Sequence, residues 1–282
     1  SSILSLLKHD PLIKNLLLEN NGSTSLNSIL MSLNKLPLLH QLMRLCPLPD
    51  LQFEGLFASI RRLFLKNLNK IEKSPELIYF LSTLCLHCFT NEYVYFESDE
   101  EASLVDELEK DIAETFAQSK QPEVNKVLCL ATYRPIHKFD WCQKLQVLDH
   151  LKDVKKRLID EPIAEKIIGQ DIAVLEEISD GVSLKVRAQY EENPYPRWVK
   201  LAIPTKAKLI SEIFVDWNLY LHSESIKIVT APSILIAGCG TGQHSIETSS
   251  RFSGCQVTAV DLSLASLAYA KRKTTELGIS NI

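Results

Sequence analysis

The chain has 282 residues, a length that suits about two domains. Hydrophobic residues make up 45% of it and charged residues 23%, as in an ordinary globular protein. The net charge of -4 offers no basic surface for nucleic acid, and no apolar run reaches the ~18 residues needed to span a bilayer.

Seven cysteines are scattered through apolar segments, and their number is odd. Such a pattern indicates reduced thiols and predicts a cytoplasmic protein. Cys85 and Cys88 form a Cys-x-x-Cys pair around His87, but a structural zinc site needs four ligands and the sequence has no second pair. We interpret both cysteines as small buried hydrophobic residues inside a helix, and we predict no metal site.

Residues 1–180 are predicted to form an all-α domain. Hydrophobic residues recur every three or four positions in one amphipathic helix, at Phe53, Leu56, Phe57, Ile60, Leu63 and Phe64. Ser98 and Glu101 match the capping box that starts a helix. Helical stretches are also expected over 144–168 and 170–178. The sequence does not reveal what this domain does, and a surface for a protein partner is one hypothesis.

Residues 181–202 are predicted to connect the two parts of the chain. Pro194 and Pro196 favour an extended conformation over a helix for residues 183–200. Two interpretations stay open for this connector. It is either a linker that packs its aromatic rings on the following domain, or a lid over a ligand crevice. The residues of the lid would be Asn193, Tyr195, Arg197 and Trp198, with the two rings shielding the crevice and the guanidinium binding a carboxylate.

Residues 203–282 are predicted to be α/β, after a helix near 205–221. Ser233–Ala237 is a short apolar run typical of a strand buried on both faces, and Gln256–Val260 is predicted as a second, parallel strand. Between them a glycine loop precedes a helix that we expect over 241–252. The glycines of this loop are Gly238, Gly240 and Gly242, which allow a sharp turn and a close approach to a ligand.

Asp261 follows the second predicted strand directly. Ligands of open parallel sheets bind outside the carboxyl ends of the strands, so the glycine loop and Asp261 should flank one crevice. A carboxylate there can accept hydrogen bonds from ribose hydroxyls. The dinucleotide fingerprint has its third glycine three positions after the second, whereas this loop has Gly242 two positions after Gly240.

The Gly-Cys-Gly-Thr-Gly loop, the Val-Asp-Leu-Ser strand end and the Leu-Ala-Tyr-Ala-Lys-Arg-Lys helix together resemble class I S-adenosylmethionine-dependent methyltransferases. The resemblance implies a Rossmann-like domain that binds S-adenosyl-L-methionine. It implies that Gly238, Gly240 and Gly242 line the cofactor, that Asp261 holds the ribose, and that Leu262 lies beside the adenine. Many members carry an acidic residue two positions before the first glycine, where this chain has Ile236.

Two further strings resemble a bacterial group in which a helical or tetratricopeptide-type region precedes such a domain. They are Gln-Tyr-Glu-Glu-Asn-Pro-Tyr-Pro-Arg-Trp at 189–198 and Phe-Thr-Asn-Glu-Tyr-Val-Tyr at 89–95. We also considered Asn193–Pro196 as a displaced form of the catalytic Asn-Pro-Pro-Tyr motif of amino methyltransferases. That order would require several strands before Ile234, and the interval has room only for a helix.

The predicted function is methyl transfer from S-adenosylmethionine to an unidentified acceptor, a protein or a small molecule. The family's sheet has seven strands and this sequence supplies two, so we expect the methyltransferase domain to be truncated and the catalytic residues are unknown. Two other classes stay open. One is a nicotinamide- or flavin-binding oxidoreductase, in which Asp261 would hold an adenosine ribose equally well. The other is a helical interaction module with an inactive methyltransferase domain.

Overall fold

A computed structural model describes residues 2–18, 26–69, 74–175, 179–220 and 222–282. The chain divides into two compact units, Ser1–Pro162 and Ile163–Ile282. The predicted domain boundary after residue 180 therefore lies inside the second unit. None of the helices in these ranges is long and apolar enough to cross a membrane.

In the described part of the first unit, all the regular secondary structure is helical. Eight α-helices come first along the chain, and they are α1 (Ser2–Lys8), α2 (Pro11–Leu18), α3 (Leu26–Leu33), α4 (Pro37–Leu45), α5 (Leu51–Asn67), α6 (Pro75–Thr90), α7 (Asp99–Ala117) and α8 (Val124–Leu130). Short 3-10 turns and an irregular helix follow, at Ile136–Lys138, Cys142–Lys144, Asp149–Leu151, α9 (Lys152–Lys155) and Lys156–Asp160. The helix α10 (Glu161–Gln170) runs from this unit into the next.

Local sequence signals explain where several of these helices begin. Asp50 caps α5 by accepting hydrogen bonds from the backbone amides of Gln52 and Phe53. The predicted apolar stripe of α5 is confirmed, since all its members except Leu63 are buried. The capping box at the start of α7 is also confirmed, with Ser98 and Glu101 each bonding the backbone of the other.

The Cys-x-x-Cys pair lies inside α6, as predicted. Burial raises the pKa of Cys85 and raises the pKa of Cys88 to about 12, so both thiols stay protonated at neutral pH. His87 donates from Nδ1 to the carbonyl of Met43 and accepts at Nε2 from the Tyr95 hydroxyl, 2.6 Å away. Its burial lowers the pKa of His87 to about 4, so the ring is neutral. Across the described ranges, no group of three or more His, Cys, Asp and Glu side chains is arranged to hold a metal ion.

Four predictions of local structure need correction. Residues 145–148 are not helical, although a helix is expected over 144–168. Residues 171–175 are not helical, because α10 ends at Gln170, and residues 176–178 lie outside the described ranges. The extended conformation predicted from residue 183 is wrong as far as residue 192, which belongs to α11 (Gly181–Glu192). A proline restricts only its own backbone and that of the residue before it, so Pro194 leaves α11 free to form. The helix predicted over 205–221 is limited to α12 (Ile210–Asp216).

The second unit contains a two-stranded parallel sheet with its helices. After α13 (Glu224–Lys227), β1 (Ser233–Ala237) pairs with β2 (Gln256–Val260), and both strands have the predicted bounds. The helices α14 (Gln243–Arg251) and α15 (Leu264–Glu276) follow the two strands in turn. The carbonyl of Asn281 accepts a hydrogen bond from the amide of Val257, so the chain returns to the outer edge of β2.

The two faces of this sheet differ in burial. Ile236 and Val257 point into a cluster with Cys239 and Cys255, against which Leu267 of α15 packs. Leu235 points to the opposite face and is 67% exposed. The prediction of a strand buried on both faces is therefore wrong for β1, because within the described residues the packing covers one face only.

Candidate ligand site

The glycine loop, residues 238–242, joins β1 to α14 at the carboxyl end of the strand. All three of its glycines have positive φ angles, 72° at Gly238, 52° at Gly240 and 87° at Gly242. Such angles are unfavourable for side chains with a Cβ atom. The amides of Gly238 and Cys239 donate to the carbonyl of Val260, at 2.8 and 3.1 Å, which ties the loop to the end of β2.

The surroundings of the three glycines differ. A Cβ atom added to Gly238 or Gly240 would meet no atom within 4 Å, so the backbone there borders open space. A Cβ added to Gly242 would lie 2.6 Å from the Cβ of Ala270 in α15. The first two glycines therefore leave room that a ligand could use, whereas the third is required for packing.

Asp261 lies directly against the glycine loop. Its Oδ2 accepts a hydrogen bond from the amide of Gly240 at 2.7 Å, and its Oδ1 accepts one from the amide of Ser263 at 2.9 Å. An ionised carboxylate can accept about four hydrogen bonds, so each oxygen keeps capacity for another donor. Leu262 follows with its side chain 44% exposed. The loop and the carboxylate thus flank one position at the carboxyl ends of β1 and β2.

Cys239 lies within the loop but is not suited to nucleophilic chemistry. Burial, and next the charge of Asp261, raise the pKa of its thiol to about 11. The thiolate is the reactive form of cysteine, and at neutral pH almost none of it is present. Cys239 instead packs in the cluster beneath the sheet.

The predicted lid residues fall into two pairs. Asn193 and Tyr195 are exposed, Tyr195 by 52%, whereas Arg197 and Trp198 are buried. The indole Nε1 of Trp198 donates to the carbonyl of Thr241 in the glycine loop at 3.0 Å. The hydroxyl of Thr241 donates in return to the carbonyl of Pro196 at 2.9 Å. The segment therefore contacts the loop through hydrogen bonds to its backbone.

Arg197 contacts a carboxylate that belongs to the chain itself. Its guanidinium lies 3.4 Å from Oε2 of Glu165, and Oε1 of Glu165 accepts from Arg272 at 2.8 Å. All three side chains are nearly inaccessible to water. A lid over a crevice stays a prediction, and Asn193 and Tyr195 are its two exposed side chains.

Sequence reasoning did not single out Glu191. Its carboxylate accepts hydrogen bonds from the amides of Leu264 at 2.5 Å and Ala265 at 3.1 Å, at the start of α15. The hydroxyl of Ser263 donates to the carbonyl of the neighbouring Tyr190 at 3.0 Å. The only sequence signal for Glu191 was its position, next to Tyr190, within the string at 189–198.

Comparison with known families gave a match in the part of the chain that contains the glycine loop and Asp261. Residues 234–282 match a family model described as a methyltransferase domain. The matched region begins in β1 and includes Gly238, Gly240, Gly242, Asp261 and Leu262. Neither the curated proteins nor the solved structures gave a match to the chain. The C-terminal segment is therefore similar to a methyltransferase domain, in agreement with its parallel sheet and glycine loop.

Proposed function

We propose that the chain binds S-adenosylmethionine between the glycine loop and Asp261 and takes part in methyl transfer. The observation that carries the proposal is the contact between Asp261 and Gly240, inside the segment that matches a methyltransferase domain. The carboxylate and the loop come from the ends of adjacent parallel strands, where ligands of such sheets bind.

The residues present fit this cofactor in two respects. The backbone at Gly238 and Gly240 borders open space, so the amino-acid part of the cofactor can approach the loop closely. Asp261 has acceptor capacity left for the two ribose hydroxyls, and the exposed Leu262 can cover the adenine. The bound cofactor would supply an electrophilic methyl group on a sulfonium. The contribution of the chain is to hold that group in position, since direct transfer needs no covalent intermediate with the protein.

Calorimetric titration with S-adenosylmethionine, S-adenosylhomocysteine and NAD tests the proposal. Binding of the first two compounds without NAD would support it. Binding of NAD alone would overturn it in favour of an oxidoreductase. Binding of none of the three would favour a helical interaction module with an inactive domain.

We also propose a cytoplasmic location. All seven cysteines are free thiols in the described chain, and six of them are buried. Reducing compartments maintain this state. Capture experiments with the full-length protein would identify the methyl acceptor and any protein partner of the helical unit.

A further inference from the structure

One stretch of chain contacts both loops of the candidate site, which are the glycine loop and the loop between β2 and α15, residues 261–263. We call residues 190–198 the bridging segment. It begins in the last turn of α11 and ends at Trp198, more than thirty residues before β1. Every contact described below joins residues of the second unit.

At the Asp261 side, the bridging segment holds the start of α15. The Glu191 carboxylate accepts from the amides of Leu264 and Ala265, which have no partner within their own helix. A negative charge at this end of a helix is favourable because the helix dipole is positive there. The Tyr190 carbonyl accepts from Ser263, whose amide in turn bonds Asp261.

At the glycine loop, the bridging segment holds Thr241 from two directions. The Thr241 hydroxyl donates to the carbonyl of Pro196, and its carbonyl accepts from the indole of Trp198. Thr241 lies between Gly240 and Gly242, whose positive φ angles make the loop backbone otherwise easy to deform. The two hydrogen bonds therefore restrain the part of the loop that bonds Asp261.

The bridging segment is itself fixed to α15. The Tyr269 hydroxyl donates to the carbonyl of Trp198, and the Lys273 ammonium donates to the carbonyl of Val199, the residue directly after the segment, at 3.1 Å. The same ammonium lies 4.8 Å from the centre of the Trp198 ring. Arg197 and Arg272 share Glu165. These contacts give the segment a rigid support against which both loops are held.

We propose that the bridging segment sets the spacing of the two loops, with Thr241 and Glu191 as positioning residues for the cofactor. The inference rests on the proposed function, because it takes S-adenosylmethionine as the ligand that the two loops bind. It gives a role to three residues of the string at 189–198, since Glu191, Pro196 and Trp198 each contact a loop of the site.

Two substitutions test the proposal in the full-length protein. Thr241→Val removes the hydroxyl at constant shape, and Glu191→Gln removes the charge at constant size. Each should weaken S-adenosylhomocysteine binding about three- to tenfold, the value of one hydrogen bond. Thr241→Ser keeps the hydroxyl and should restore the affinity. Matched controls are Thr258→Val, on the exposed face of β2, and Glu107→Gln, at an exposed position of α7.

Hydrogen exchange in the ligand-free protein gives a second readout that does not depend on the cofactor. Thr241→Val should speed exchange of the amides at 238–242, and Glu191→Gln should speed exchange at 264–265. Unchanged exchange and unchanged affinity in both variants would overturn the proposal. Weaker binding without faster exchange at 238–242 or 264–265 would also overturn it, since the bridging segment would then not be what restrains the loops.

The outcomes separate this proposal from the proposed function. If the wild-type protein binds neither S-adenosylmethionine nor S-adenosylhomocysteine, the proposed function fails, and the assignment of the bridging segment to that cofactor fails with it. Faster exchange in the variants would then show that the bridging segment restrains the loops, although S-adenosylmethionine is not the ligand. If Thr241→Val does not fold, Trp198→Phe removes the other hydrogen bond to the loop and is tested in the same way.

Discussion

Asp261 is the residue on which the candidate site depends most. If Asp261 holds the ribose as we propose, Asp261→Ala removes a charged acceptor and should weaken S-adenosylmethionine binding about ten- to a hundredfold, at about 1.5 to 3 kcal/mol for such hydrogen bonds. Calorimetry measures the change. Asp171→Ala, on an exposed position outside the site, should leave the affinity unchanged. An unchanged affinity in Asp261→Ala would assign the ribose to another part of the chain.

Gly240 and Gly242 differ in what surrounds them, and the same substitution should separate their roles. Gly240→Ala places a methyl group in open space at a positive φ, so it should cost about 1 to 2 kcal/mol of unfolding free energy and block cofactor binding. Gly242→Ala adds a clash with Ala270 to the same backbone cost, so it should destabilise the protein more. Thermal unfolding shows which of the two variants is less stable, and calorimetry shows whether each of them binds the cofactor. Equal destabilisation would contradict the close contact at Ala270.

The buried carboxyl group of Glu101 should make the stability of the first unit sensitive to acid. Burial alone would raise the pKa of this carboxyl, but hydrogen bonds from Ser98, Tyr133 and Arg62 outweigh burial and lower the pKa. A lowered folded-state pKa contributes stability above the unfolded value of about 4.3, and that stability is lost as the pH falls through the folded value. Glu101→Gln should therefore reduce the loss of unfolding free energy between about pH 5 and pH 3. Urea unfolding at each pH measures it, and an unchanged pH dependence would exclude Glu101 as a cause.

At the scale of the element, α5 offers a test of local capping. Asp50→Ala leaves the first amides of α5 without their side-chain acceptor and should lower the unfolding free energy by about 1 kcal/mol. Asp50→Asn keeps an effective cap but loses the ion pair with Lys8, so it should cost less. Urea unfolding compares the variants. An equal loss in the two variants would show that Asp50 stabilises the protein through the ion pair and not through the cap.

Elements defined by local signals were the predictable ones. The stripe of α5 and the capping box of α7 depend on residues within one or two turns, and both strands of the sheet have the predicted bounds. The helix α11 was missed because the effect of Pro194 was extended too far along the chain. The exposure of Leu235 could not be predicted, since it depends on which elements pack on that face.

At the scale of the molecule, the residues of the candidate site also divide into those that a local motif predicts and those that it does not. The motif singled out Gly238, Gly240, Gly242 and Asp261 as candidates, because their spacing follows from the strand–loop–helix order of one short segment. It did not single out Glu191 or Thr241. The hydrogen-bond partners of these two residues lie 73 and 45 positions away in the chain, beyond the reach of any local pattern.

Cofactor binding should stabilise the unit that contains the site. A ligand that binds only the folded state at about 100 times its dissociation constant adds about 2.7 kcal/mol to the unfolding free energy. Hydrogen exchange of peptides from residues 163–282 should slow accordingly when S-adenosylhomocysteine is added. The same experiment on Asp261→Ala, at an unchanged ligand concentration, should show much less protection. Equal protection in that variant would indicate binding outside the candidate site.

The distance along the chain between the bridging segment and the two loops bears on the order in which the protein folds. Hydrogen bonds across 45 and 73 residues require large closures of the chain, which cost entropy and form slowly compared with the turns of α14 and α15. The sheet and its helices can be in place before residues 190–198 dock. We therefore expect the ability to bind a ligand to appear after most of the secondary structure during refolding.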